Sequence, residues 1–144
     1  TDPILEEYLK ESDGQTPLLL VVQSWVTLTL KALRGDAEGL EKVLPELKKP
    51  GQPMVLTALD LEFFRAYAAF RGRNYLKALQ LIREIKGEPL LTQEQRIEVA
   101  RMEGEIFLAQ NVKETAIKYF QEGYKLSDRS DPLIQERLAE LNAL

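Results

Sequence analysis

Apolar residues in this chain recur at helical spacing in blocks, and the blocks are separated by short clusters rich in Gly, Pro, Asp and Asn. That spacing places one apolar stripe along an α-helix, and no block alternates with the period of two that a half-buried strand requires. An all-α fold is predicted. Asp2 before Pro3 reads as a helix N-cap with proline at the first helical position, opening a short helix to about Lys10 that Asp13-Gly14 closes. Thr16-Pro17 repeats the signal for a helix over Leu18 to about Arg34, ended by Gly35. Asp36 caps a third helix from Ala37, which Pro45 is expected to kink or end near Leu44. The loop Lys49-Pro50-Gly51-Gln52-Pro53 precedes a helix from Met54 to about Arg71, broken at Gly72. Tyr75 to Lys86 follows, with Gly87 past its end. Thr92-Gln93-Glu94-Gln95 has capping-box spacing and starts a helix from Gln93 to about Gln110. Lys113 to Leu126 comes next, and Asp131-Pro132 opens a closing helix, giving eight helices in antiparallel pairs.

Three of these segments align at a spacing of 38 residues: Gly39 to Leu44, Lys77 to Ile82, and Thr115 to Phe120. Self-similarity at such a period marks units that stack on one another rather than one globular core. Asn74-Tyr75-Leu76-Lys77-Ala78-Leu79 and Asn111 through Ile117 resemble the turn into the second helix of the tetratricopeptide repeat, a family with units of roughly 34 residues. Gly104 with Phe107 resembles the small and aromatic pair of that family's first helix, and the best matches lie in residues 54 to 126. Gly35-Asp36 also resembles the interhelix turn, but Leu40 stands where a small residue is expected, so the first repeat is degenerate. The resemblance implies a right-handed solenoid of about three helix pairs in a single domain over 1–144. Within it, an N-terminal helix (1–14), a degenerate repeat (16–50), two further repeats (53–90 and 92–130) and a capping helix (131–144) are expected. Asp2 to Leu9 and Asp131 to Leu138 resemble each other, as terminal caps of a solenoid do, although Asp-Pro is also a common helix opener.

Composition narrows the chemistry. With 44% hydrophobic and 29% charged residues the chain should fold, and a formal net charge of −4 disfavours general nucleic-acid binding. Neither His nor Cys is present, which removes imidazole bases, thiolates, disulfides and Cys/His zinc sites together. No metal or other cofactor is expected. The most apolar run, Leu18 to Val22, falls well short of the roughly 20 residues a membrane span needs, so no membrane insertion is expected. A first residue other than Met suggests a start within a longer protein or a processed one.

The resemblance also says where function should sit, since stacked helix pairs line a concave face with the first helix of each pair. On the helix ending at Arg71, Leu61, Phe64 and Ala68 make one apolar stripe and Phe63, Tyr67 and Phe70 a second, more than one interface needs. Trp25 and Thr29 on the preceding inner helix extend the second stripe, and Arg101 and Glu105 occupy the corresponding places on the next. These seven residues, Trp25, Thr29, Phe63, Tyr67, Phe70, Arg101 and Glu105, are the candidate partner-binding groove for an amphipathic helix or an extended peptide. Core burial is the competing reading for Phe63, Phe64 and Phe70, and Tyr67 is the stronger groove residue. For Glu98, Arg101 and Glu105, spaced by three and four, the competing reading is a solvated face of intrahelical pairs worth about 0.2–0.5 kcal/mol each. One subgroup of the family grips the C-terminal carboxylate of chaperone tails with lysines, arginines and asparagines. The side chains here offer too little positive charge for that.

The expected function is thus a non-catalytic scaffold or adaptor that binds another protein or peptide. The alternative is a structural or oligomerisation segment of a larger protein, with the stripe covered by a second copy. Catalysis by Glu103 and Glu105, or by Glu6 and Glu7, is not expected, because carboxylates this close along a helix do not converge on one substrate atom; adjacent ones diverge by about 100°. The basic cluster Lys113, Lys118, Lys125 and Arg129 is interleaved with Glu114, Glu122 and Asp128 and reads as a salt-bridged outer face.

Overall fold

The computed structural model describes residue 3 and residues 17–47 and 57–144; the helix expected over 2–10 and the loop at 49–53 lie outside the described residues. Among those described there are seven helices and no strand: α1 (Pro17–Leu33), α2 (Ala37–Leu47), α3 (Ala58–Arg71), α4 (Tyr75–Lys86), α5 (Gln93–Ala109), α6 (Lys113–Leu126) and α7 (Pro132–Glu140). The chain divides into two compact units, Thr1–Ala78 and Leu79–Leu144, with the division inside α4.

Local chemistry sets the helix ends. Thr57 is extended (φ −80°, ψ 163°); its hydroxyl accepts the Asp60 N–H at 3.1 Å while the Asp60 carboxylate accepts the Thr57 N–H at 2.9 Å. This reciprocal box starts α3 at Ala58 rather than at Met54. The expected box at Thr92 and Gln95 opens α5 in the same way, at 3.1 and 2.9 Å. Asp131 Oδ1 accepts from the N–H groups of Leu133 and Ile134, both at 3.0 Å, with Pro132 at the position where no donor is missed. Helix α2 continues through Pro45 to Leu47. Proline withholds the N–H that the Glu41 carbonyl would accept, but both residues are exposed and solvent can serve that carbonyl, so one more partial turn is tolerated.

The repeat is visible in backbone geometry. Gly35, Arg73 and Asn111 all lie in the left-handed region (φ 70°, 63° and 63°), at the 38-residue spacing of the sequence repeat. Each donates to the carbonyl three residues back, and each following residue to the carbonyl five back: Asp36 to Lys31 at 2.9 Å, Asn74 to Ala69 at 2.8 Å, Val112 to Phe107 at 2.9 Å. These are Schellman caps, which satisfy the carbonyls a helix end leaves orphaned. Burial has the same period. Leu28, Ala66 and Gly104 are buried, as are Leu40, Ala78 and Ala116, and Leu44, Ile82 and Phe120. The degenerate repeat therefore departs in side-chain size and keeps its buried positions.

In the first unit α1 packs on α2 and α3, and α2 on α3. Their core is Leu28, Ala32, Leu40, Leu44, Leu61 and Ala68, with Val43, Phe64 and Tyr67 packed against it. Arg65 reaches Glu41 at 2.7 Å and Arg71 Nε donates to the Leu33 carbonyl at 3.1 Å, fastening α3 to α2 and to the end of α1. Only glycine suits position 35, since a Cβ there would meet the Gly72 nitrogen at 2.6 Å. In the second unit α5 packs on α6 and α6 on α7. Ala116, Phe120, Ile134 and Leu138 form that core, with Ile97, Phe107 and Tyr124 among the residues around it. Each fully buried Leu, Ile or Phe among them contributes about 1.5–3 kcal/mol.

Candidate partner-binding surface

Among the described side chains of helix α1, residues 22, 25, 29 and 33 are exposed, at steps of three and four that fall on one face. Three are large and apolar: Val22, Trp25 and Leu33 are 40%, 36% and 45% exposed. Thr29 stands exposed between Trp25 and Leu33. Sequence reasoning found Trp25 and Thr29 and missed Val22 and Leu33, although the same spacing contained them.

Trp25 packs on α3. Its ring meets Phe64 of α3 edge-on, with centroids 5.3 Å apart and planes at 61°. Phe64 rests on the core, as the first α3 stripe requires, with Leu61 and Ala68 buried there. The second stripe is half-buried throughout, at Phe63, Tyr67 and Phe70. Tyr67 also packs against the core, so it is anchored rather than free. Its ring meets Phe70 at 6.2 Å and 76°, and Phe70 meets Tyr75 at 6.2 Å and 50°. Tyr67 and Phe70 are thus brought together, with Tyr75 as a third member that the stripe pattern did not include. Edge-on aromatic pairs of this kind add about 0.5–1.5 kcal/mol beyond burial. Nearby on α3, Glu62 Oε1 accepts from the Arg65 guanidinium at 2.7 Å, while its Oε2 is buried without a donor among the described residues.

Arg101 and Glu105 belong to the second unit and have other partners. Glu105 accepts from Arg137 Nε at 2.6 Å, and Arg137 also bonds Glu140 at 3.1 Å. Those carboxylates, Glu105 first, raise the pKa of the guanidinium. Burial pushes the Glu98 carboxyl up, against the pull of Arg101. The polar face of α5 is therefore tied to α7 at one end and partly desolvated at the other. Among the described residues no ion pair joins Arg101 to Glu105.

Glu103, two residues before Glu105 and so on another face of α5, points elsewhere. It is 6% exposed and meets Lys86 of α4 at 3.3 Å. Burial raises its carboxyl above the ordinary value, with Lys86 opposing. The Lys86 ammonium lies 5.6 Å from the Tyr119 ring centre, and Tyr119 stacks on Phe107 at 5.5 Å with planes 6° apart. A buried acid met by Lys86 and Tyr119 is an internal fastening of α4, α5 and α6. Among the described residues no group of acidic side chains is placed to hold a metal ion, and no helix is long and apolar enough to cross a membrane. The chain matches no protein-family model, and comparisons with curated proteins and with solved structures likewise give no match.

Proposed function

We propose that this chain is a non-catalytic interaction module of tetratricopeptide type, a scaffold or adaptor that holds an amphipathic helix or an extended peptide of another protein. The observation that carries the reading is the α1 face, where Val22, Trp25 and Leu33 stand in solvent at helical spacing. Large apolar side chains left exposed in register mark a surface that gains from being covered. The recurrence of the same cap and the same buried positions every 38 residues supports a stacked-repeat architecture, for which the tetratricopeptide resemblance implies a right-handed solenoid. In that architecture Trp25, Phe63 and Arg101 occupy equivalent places on successive inner helices, as do Thr29, Tyr67 and Glu105. The aromatic places, with Phe70 beside them, suit apolar side chains of a ligand, and the charged places, Arg101 and Glu105, suit a polar segment. Catalysis and a bound cofactor have no part in this reading.

The test is comparative capture. The chain and its Trp25→Ala/Tyr67→Ala variant are presented to extract, the proteins retained only by the former are identified, and one is purified for titration. Direct saturable binding that weakens in the variant, with the variant still helical, supports the proposal. A purified candidate that binds both equally overturns it. Self-association in place of foreign binding favours the oligomerisation alternative, in which a second copy covers the same face.

A further inference from the structure

Among the described residues the basic cluster Lys113, Lys118, Lys125 and Arg129, along and just past α6, forms none of the ion pairs expected of it. Among the described residues, Lys125 and Arg129 have no ion-pair partner, although Glu122 and Asp128 are close in sequence. Lys125 and Arg129 both line a cavity of about 380 Å³ whose other walls include Tyr124, Leu138 and Ala143. That volume is within the roughly 300–1,000 Å³ range of ligand-binding clefts. The turn holds Arg129 there. Asp128 and Arg129 are both left-handed (φ 55° and 60°), the Arg129 N–H bonds the Tyr124 carbonyl at 2.8 Å, and the Ser127 hydroxyl accepts the Asp131 N–H at 3.1 Å.

A mostly apolar lining that also carries two cations without an ion-pair partner among the described residues complements an apolar side chain flanked by carboxylates. We infer that this cavity, between α6 and α7, is a docking site for a short acidic peptide segment of another protein that carries one large apolar residue. That residue enters over Leu138 and Ala143, and its neighbouring carboxylates meet Lys125 and Arg129. Charge complementarity selects the peptide. Nucleic acid would not place its phosphates over an apolar floor on a chain of net charge −4. The site uses none of the residues of the α1 and α3 face, so it stands or falls independently of the function proposed above.

The probe is a capped peptide of sequence EELEE, with QQLQQ and EESEE as controls, titrated into the whole chain and followed by backbone amide NMR. The expected result is saturable shifts centred on Tyr124, Arg129, Leu138 and Ala143, weakened by salt and absent with either control. Lys125→Glu/Arg129→Glu should weaken binding about five- to tenfold or more, because each rim contact is exposed and individually modest. Both side chains are exposed, so the variant keeps its helical spectrum. Equal binding of QQLQQ overturns the inference, as do shifts centred on Trp25 or no saturation at millimolar peptide. Decanoate filling the cavity where the peptide does not would overturn it in favour of a small amphiphile.

Discussion

Gly104→Ala should destabilise the chain even though alanine is the better helix former. Gly104 is buried on α5, and a Cβ there would lie 2.6, 2.7 and 2.8 Å from Cε1, Cδ1 and Cζ of Phe120. The Phe120 ring is fully buried and rigid, so the overlap must be relieved by moving a packed aromatic or by parting α5 from α6. Overpacking of this kind costs about 1–3 kcal/mol. Replacing a mid-helix glycine returns about 0.8–1.0 kcal/mol of propensity. The net loss is then about 1 kcal/mol and at most about 2 kcal/mol, or about 3–6 °C in Tm for a chain of this length. Thermal unfolding followed by circular dichroism reads it. Phe120→Leu in the Gly104→Ala background should cost less than the two changes summed, because the overlapping ring edge is gone. Gly123→Ala is the control: its Cβ meets the movable end of the Ile134 side chain at 2.9 Å, and its approach to the fixed Ala100 Cβ, at 3.2 Å, is less close than any that Gly104 meets. If Gly104→Ala melts as high as Gly123→Ala, the close α5–α6 approach through Gly104 is wrong.

Other changes test other links. Gly35→Ala, strained in φ and 2.6 Å from the Gly72 backbone, should cost about 1–3 kcal/mol, whereas Arg73→Gly, at the same φ and exposed, should stabilise by up to about 1 kcal/mol; melts with equal signs would refute the Schellman reading. Thr57→Ala should lose about 1 kcal/mol and speed amide exchange in the first turn of α3, and unchanged exchange there would remove the capping box. Glu103 carries a pH signature. Because burial raises its folded-state pKa above 4.5, its contribution to stability is full below about pH 4.5 and is lost as pH rises through the folded value. Lys86→Met removes the opposing cation, so it should destabilise by about 1–3 kcal/mol at neutral pH and little near pH 4. Denaturant titrations that show the same loss at both pH values would contradict the pairing.

Helix ends were the most legible part of the chain, because their determinants are local. Thr92 with Gln95, Asp131 with Pro132, and Gly35 each act within a few residues, and each ends or begins a helix where the sequence places it. Thr57 was missed because its box closes with Asp60 rather than with the longer Glu or Gln. The 38-residue period was legible, and the structure extends it to cap geometry that side-chain identity hides, since Gly35, Arg73 and Asn111 share one conformation. Partners across helices were not legible. Glu105 lies four residues from Arg101 and pairs instead with Arg137, 32 residues away, because rotation of α5 about its axis turns it toward α7. The same holds for Glu103 with Lys86 and for Arg65 with Glu41. Of the candidate groove, Trp25 and Thr29 stand exposed, whereas Tyr67 is half-buried through packing that no single-helix pattern encodes.

Trp25 is the chain's only tryptophan and sits at the centre of the exposed α1 face, so its emission tests the central claim directly. Emission and solution mass are measured together over a dilution series, and then with a purified partner. The account predicts a constant spectrum of a half-exposed indole at a mass of 16.4 kDa, shifting to the blue only when partner is added. A blue-shifted, quencher-shielded Trp25 at every concentration, or a shift that follows doubling of the mass with partner having no further effect, would contradict it.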